Sequence, residues 1–530
     1  MQIILSGEYI NPELAAQFGK IPPSFLPLGN RRLFHWQLQE LRKNPGRITM
    51  TLPANFSLPE MDAAELRAQD VTIIQTTPGI PLGEAIFQCL DALQIQHEPI
   101  RILHGDTLCS SLDETPTDTV LTSQTDDGYD WDECVGEDGH PEMRKADPLN
   151  RSHRRILCGY FNFASGRALA DHLKLCKFDF IDALNAYGKQ QGLRTKQAQT
   201  WLDFGHLQTY FRSRARFSVS RSFNQLTTTP QWITKTSSDQ KKILAEANWF
   251  QTISPELRIN SPRFLGLVDL PENKKAYRLE YMYLATLAEL FVFGQLPPYL
   301  WARINETSGD YLAKLQQHRP PKPMSGFSAS DYANKTIERL ESFCRASSIR
   351  LDQPTILNGA HLPSLGKIVE TLAREIPDAK PEDQGIMHGD FCFSNIMFDF
   401  QATRIVTLDP RGQTFDGQPT IHGDTRYDVA KYAHSMIGLY DVILAGRFSL
   451  SMQDDLRFDF SLDMPAHQDV LSQQFLSSNL GKHQASSSWV IPMTILLFLS
   501  MLPLHAEEPK RQLALLANAL RLFNQHGKSR

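Results

Sequence analysis

Along the first two hundred residues, short apolar runs at 3–5, 48–52, 71–75 and 100–103 are separated by stretches of helical period at 33–41 and 82–93. That alternation predicts βαβ units around a mostly parallel sheet, an α/β arrangement. From about residue 217 the texture changes. Strand-like pieces (VSRSFNQL, QWITKT) precede a helical pattern over 238–253, and further strands follow at FLGLVDL and AYRLEYMY, which predicts an antiparallel sheet with one inserted helix. Beyond residue 285 helical spacing dominates, interrupted at 386–408 and ending in an amphipathic helix near 511–523. The most apolar run, 489–504, is shorter than the roughly 20 residues a bilayer span requires, so a buried helix is expected there and no membrane span. Two stretches read as surface insertions: the acidic, turn-rich 113–147 and the proline-rich 317–329. No internal repeat is visible.

With 530 residues, two or more domains are expected, and 41% hydrophobic positions supply material for two cores. The 54 basic and 59 acidic residues nearly cancel, which argues against a nucleic-acid binder and makes small molecules the expected partners. Seven scattered cysteines contain no C-x-x-C pair, so reduced thiols in a cytoplasmic protein are expected, with neither a disulfide framework nor a zinc site. The opening MQIILSGEYI reads as a buried strand and not as a secretion signal.

The sharpest chemistry lies in IMHGDFCFSNIMFD followed by IVTLDPRG. Phosphoryl transfer from a nucleotide needs a carboxylate to orient the attacking hydroxyl and take its proton, and Mg²⁺ ligands to offset phosphate charge. Asp390, Asn395 five positions on, and Asp409 at a strand end provide that set, with the flanking apolar runs forming a hairpin whose mouth holds both metal ligands. These segments resemble those of aminoglycoside phosphotransferases and choline/ethanolamine kinases, over roughly 218 to the C-terminus. The resemblance implies a protein-kinase-like, two-lobed domain over 213–530, with a small lobe at 213–285 and a large helical lobe at 286–530. It also implies Asp390 as catalytic base, Asn395 and Asp409 on Mg²⁺, His388 bracing the loop, and ATP as phosphoryl donor. Lys235 would meet the ATP phosphates and pair with Glu246 in the next helix. No glycine-rich loop is present, so Ser220, Ser222 and Asn224 would cover the phosphates. In YDVAKYAHSMIGLYD, which contains Lys431, Asp428 would anchor the loop.

In the first domain four pieces occur in order: PPSFLPLGNRRLFHWQLQEL, LGEAI, ILHGDTL, and CGYFNFAS with WLDFGHLQTY. Joining a phosphate to the α-phosphorus of a nucleoside triphosphate needs Mg²⁺ held by carboxylates, and a basic group on the phosphates. The pieces resemble sugar-phosphate and choline-phosphate nucleotidyltransferases over residues 1–212, which implies a Rossmann-like (GT-A-like) domain with Asp106 and Asp203 on the metal and Gly83 and Glu84 near the nucleotide. Asp203 would equally serve as an N-cap. The chain departs from that family where a glycine-rich, arginine-bearing loop and a lysine are usual: it has LSGEYINPELAAQFGKIPP, and Ser24 stands at the lysine position. Lys20, Arg31 or Arg32 would have to supply the charge.

Together the two resemblances imply a bifunctional enzyme. One domain phosphorylates a small alcohol or sugar, and the other converts the product into an NDP-activated compound, with CTP favoured, as in bacterial capsule or lipopolysaccharide systems. A kinase with a regulatory, non-catalytic first domain and a pseudoenzyme scaffold remain alternatives. A choline acceptor would want an aromatic cage, for which Phe291, Tyr299 and Trp301 are candidates.

Overall fold

The computed structural model describes residues 1–95, 97–136, 141–146, 153–217, 224–347, 349–453 and 456–528. The chain divides into two compact units, Met1–Arg214 and Ala215–Arg530, and it is mixed α/β.

In the first unit four strands run parallel, ordered Ile100–His104, Gln2–Leu5, Ile48–Pro53 and Val71–Thr76. Ile48–Pro53 is buried at every position and Gln2–Leu5 at nearly every one, as interior strands of a parallel sheet covered on both faces are, while the edge strand Val71–Thr76 exposes Thr72 and Gln75. Arg154–Phe163 adds antiparallel to Ile100–His104 and extends the sheet. The helices Gly166–Leu175 and Phe180–Gln191 bury Leu169, Leu173, Leu184 and Tyr187 against it.

The expectation of a surface insertion at 113–147 is wrong. Thr119–Thr125, Glu133–Val135 and Glu142–Arg144 are strands of the same sheet. Glu133 is buried and paired with Arg154 at 2.6 Å and Arg144 at 2.7 Å. The acidic residue is thus neutralised by arginines from neighbouring strands, a contact that local composition does not reveal.

The second unit opens with a four-stranded antiparallel sheet ordered Asn224–Thr228, Trp232–Ser237, Lys274–Glu280, Phe264–Leu270. The helix Gln240–Thr252 is inserted after the second strand, N-capped by the Asp239 side chain. A helical region follows. The hairpin Phe448–Gln453 with Arg457–Leu462, joined by Thr355–Leu357 and Ala360–Leu362, forms a further four-stranded sheet that the helical spacing did not announce. The apolar run is the helix Val490–Met501, buried nearly throughout between the helices Arg426–Met436 and Pro509–Lys528. Among the described residues no helix is long and apolar enough to cross a membrane. The proline-rich 317–329 stretch connects two long helices and is tethered by Gln384, whose side-chain amide bonds both the N–H and the carbonyl of Met324 at 2.8 Å.

Candidate functional site

In the second unit the His-Gly-Asp segment leaves the short strand Gln384–Ile386 and enters a single 3-10 turn, Phe393–Asn395. The turn brings Asn395 back onto Asp390: its amide Nδ2 donates to the Asp390 carbonyl and to Oδ2, both at 2.9 Å. With the amide N–H groups so committed, the hard oxygen of Asn395 is what remains for a ligand. Ile396–Asp399 then pairs with Arg404–Thr407, and the Leu408 N–H donates to the Asn395 carbonyl at 2.8 Å. Asn395 and Asp409 therefore flank one hairpin mouth. Asp409 sits in the left-handed region, φ 53°.

Lys235 is buried and reaches across to both carboxylates, Glu246 Oε2 at 2.7 Å and Asp409 Oδ1 at 3.0 Å. Burial opposes its charge, and the Asp409 and Glu246 carboxylates outweigh burial, holding the lysine above its ordinary value. The Tyr277 hydroxyl donates to the same Glu246 oxygen at 2.7 Å. Ser220 and Ser222 lie outside the described residues, and Asn224 opens the first strand of the sheet.

Asp428 is fully buried and accepts the backbone N–H groups of His388 (2.8 Å) and Gly389 (2.7 Å), which fixes the bend before Asp390. Its carboxyl is pushed up to about 7 by burial, which those bonds only partly offset. His388 accepts the Asp390 N–H through Nδ1 at 3.3 Å, a role open only to the neutral ring with its proton on Nε2. Burial lowers it to about 4.

The sequence reading assigned no role to Lys431. Its Nζ lies 2.8 Å from Asp390 Oδ1. Burial works against the Asp390 charge, yet Lys431 holds the carboxyl well below the usual range. A signal was present: Lys431 follows Asp428 by three residues on one helix, so the two share a face. The proposed aromatic cage does not exist. Phe291 and Trp301 are buried with Phe393 in one edge-and-face cluster at 5.2–5.7 Å, while Tyr299 is 70% exposed.

In the first unit Asp106 sits with Gly105 in the turn between Ile100–His104 and Thr107–Cys109, and Asp203 ends the short strand Trp201–Asp203, which pairs antiparallel with Thr107–Cys109. Both close on Gly205: a Cβ there would stand 2.6 Å from Asp106 Oδ2 and 3.4 Å from Asp203 Oδ1. The two carboxylates thus share one small space. Burial, then the charge of Asp203, pushes the Asp106 carboxyl up to about 6. Asp203 also accepts the Thr209 hydroxyl and lies 3.4 Å from His206 Nδ1, so it ties the start of the helix Leu207–Arg216 as well.

Two of the remaining expectations, for Gly83 and Arg32, need correction. Gly83 is pressed against the 178 carbonyl, where a Cβ would approach to 2.3 Å, so its missing side chain serves helix packing and not nucleotide approach. Glu84 is half-buried in the first turn of Leu82–Ala92 and accepts from Gln88 at 3.3 Å. Arg32 is not available for phosphates: it is buried, 3.3 Å from Asp62, and donates to the Phe25 carbonyl at 3.1 Å. Ser24 is buried on the Gly105 carbonyl, Arg31 Nη1 lies 2.5 Å from His35 Nε2, and Lys20 sits 4.4 Å over the Tyr9 ring.

Among the described residues no group of three or more His, Cys, Asp or Glu is arranged to hold a metal. Each site instead offers two oxygen donors, Asn395 with Asp409 and Asp106 with Asp203. That fits Mg²⁺, which keeps waters and shares substrate phosphates.

Residues 214–409 match the APH family, phosphotransferase enzymes. No curated protein matches the chain. Among solved structures, HddC from Yersinia pseudotuberculosis is similar at 16% identity, covering 41% of this chain and 99% of that one, with TM-score 0.32. The inositol-1-phosphate CTP transferase from T. maritima is 12% identical over 41% of this chain and 95% of that one, TM-score 0.31. A thermostable mutant of aminoglycoside phosphotransferase APH(4)-Ia is 11% identical over 56% of this chain and 87% of that one, TM-score 0.37.

Proposed function

We propose that the second unit is a protein-kinase-like domain that phosphorylates a small alcohol or sugar with ATP. We further propose that the first, a Rossmann-like nucleotidyltransferase domain, joins the product to a nucleotidyl group, giving an NDP-activated precursor of a surface polysaccharide. The observation that carries the kinase reading is the convergence of Lys235, Glu246 and Asp409 beside the Asp390–Asn395 clamp.

Lys235 would neutralise the nucleotide phosphates, Asn395 and Asp409 would hold Mg²⁺, and the metal would supply charge neutralisation on the transferring phosphoryl group. Asp390 would orient the acceptor hydroxyl and take its proton as the oxygen–phosphorus bond forms and ADP leaves. A carboxylate held as acidic as Asp390 is a weak base, which suits a loose transition state in which the proton moves late.

In the first unit Asp106 and Asp203 would hold the second Mg²⁺, with CTP as the favoured donor. A specific observation supports a second reading, a first unit that binds nucleotide without catalysis: Arg32 is tied to Asp62, and Ser24 stands where a lysine is usual. The deciding experiment supplies alcohols and sugars with ATP and each NTP, and follows ADP and pyrophosphate separately. ADP without pyrophosphate from any NTP favours the second reading; no ADP with any acceptor, from a protein that binds Mg²⁺–ATP, overturns the kinase.

A further inference from the structure

Next to Asp390, three segments bring basic side chains together: Arg411 just past Asp409, Lys335 and Arg339 on the helix Ala329–Ala346, and Lys431 on Arg426–Met436. Lys431 is matched by Asp390. Arg411 feels the charges of Asp390 and Asp428 without forming an ion pair with either, and Lys335 faces no acid. Arg411 packs against Gly389, lies 4.4 Å over the Tyr427 ring and donates through Nη2 to the Tyr427 hydroxyl at 2.7 Å, while its Nη1 is buried without a hydrogen-bond partner.

Lys335 Nζ stands 3.3 Å over the Phe415 ring and 5.7 Å from that of Tyr427. Among the described residues Lys335 makes no ion pair and no hydrogen bond. Arg339 donates to the Ser500 carbonyl at 3.0 Å, with the exposed Glu338 beside it. Burial and then Arg411, Arg339 and Lys431 push the Lys335 ammonium well below its ordinary value.

The acids facing this cluster are already engaged. Asp390 holds Lys431 and Asn395, Asp428 accepts two backbone N–H groups, and Asp424 forms a buried pair with Arg426 at 2.8 Å. Like charges gathered in a partly desolvated cleft repel, and a bound counter-charge relieves that repulsion. The cleft is lined by Tyr332, Arg411, Phe415 and Tyr427 together with Asp424, whose charge is taken up by Arg426, while Lys335 stands over the Phe415 ring at its wall; Arg411 adjoins the catalytic loop.

We propose that the phosphoryl acceptor is an anionic alcohol, a hydroxy acid or a phosphorylated sugar or polyol, whose carboxylate or phosphate is held by Lys335 and Arg411. The proposal rests on the kinase reading and narrows it, and it excludes a quaternary ammonium acceptor such as choline. The guanidinium fork suits a two-oxygen anion, and the Lys335 ammonium supplies a compact second charge.

The test uses the full chain with Mg²⁺ and a non-hydrolysable ATP analogue filling the nucleotide site, and titrates inorganic phosphate, acetate and tetramethylammonium by calorimetry. Phosphate or acetate is expected to bind and tetramethylammonium not to. Lys335→Gln should weaken the anion about tenfold or more, the loss of one charged contact, and Lys335→Arg should restore it. Phosphate and acetate separate the two sources of anion. If the nucleotide analogue binds and neither anion does, or if Lys335→Gln leaves anion binding unchanged, the acceptor inference is overturned while the kinase stands. If the analogue itself fails to bind, the kinase reading falls first. A melting curve for each variant separates lost binding from lost folding.

Discussion

Asp390 is the residue to which the proposed kinase reading gives the proton, and its surroundings define a sharp expectation. Asp390→Asn keeps the shape and the Asn395 contact but removes the proton acceptor, so ADP release should fall by about two to four orders of magnitude, and the melting temperature should drop because Lys431 loses its charge partner, so turnover is read where the variant is still folded. Steady-state ADP release on the purified variant checks this, and near-native turnover would refute the role. His388 gives a pH expectation. Its folded pKa is depressed to about 4 from 6.5, so the unfolded chain binds its proton first. The stability it contributes is fully present above pH 6.5 and is lost as pH falls through 6.5 toward 4, at most about 3 kcal/mol by linkage. Urea melts from pH 7 to 4 should therefore show the gap between wild type and His388→Gln shrinking toward acid. A gap independent of pH would mean the ring is not buried neutral.

The helix Gln240–Thr252 is the element that organises the site around Lys235 and Asp409. It carries Glu246 to Lys235, its Trp249 Nε1 donates to the Met387 carbonyl at 2.9 Å, and its Ala245 carbonyl receives the loop after Asp409. That last contact explains the glycine of the DPRG run. Gly412 has φ 66°, and a Cβ there would stand 2.1 Å from the Ala245 carbonyl oxygen. Gly412→Ala should therefore cost more stability than the strain of about 1 kcal/mol for a left-handed alanine, and should raise KM for ATP as Asp409 is displaced. Gly417→Ala is the control, because Gly417 has φ 83° with nothing within 4 Å and should show the strain alone. Denaturant midpoints with ATP kinetics on both variants decide it; equal losses would remove the helix from the account.

At the scale of the whole chain the two oxygen-donor pairs proposed to hold Mg²⁺ lie in separate compact units, so the proposed chemistries should separate by mutation. Asp203→Ala should abolish pyrophosphate release from NTP and phosphorylated acceptor while ADP formation continues, and Asp390→Asn should do the reverse. Loss of both activities from a folded Asp203→Ala protein would end the independent-unit picture. Local periodicity made the parallel strands, the inserted helix and the buried run at 489–504 legible in the sequence, and the spacing of Asp390, Asn395 and Asp409 gave the hairpin mouth. What stayed hidden depends on partners distant in sequence. Glu133 looked like part of an acidic loop because its arginines lie on other strands. Gly83 looked like a nucleotide contact because the backbone that fills its space is some ninety residues away. Arg32 looked free for phosphates because Asp62 lies thirty residues on, in the helix Glu60–Ala68.

The loop that begins at Asp409 also fixes a distance. Arg411 follows Asp409 by two residues, so their backbones stand no more than about 7 Å apart. On the proposed reading, with Mg²⁺ on the first and the acceptor's anion on the second, the loop would act as a gauge for the acceptor: its reacting hydroxyl and its charged end would have to fit within the reach of two side chains rooted almost side by side. Compact molecules satisfy that gauge and extended chains do not. In a series of ω-hydroxy acids of increasing length, turnover should peak among the short members and collapse beyond them, and a flat profile would show that the charged end is held elsewhere.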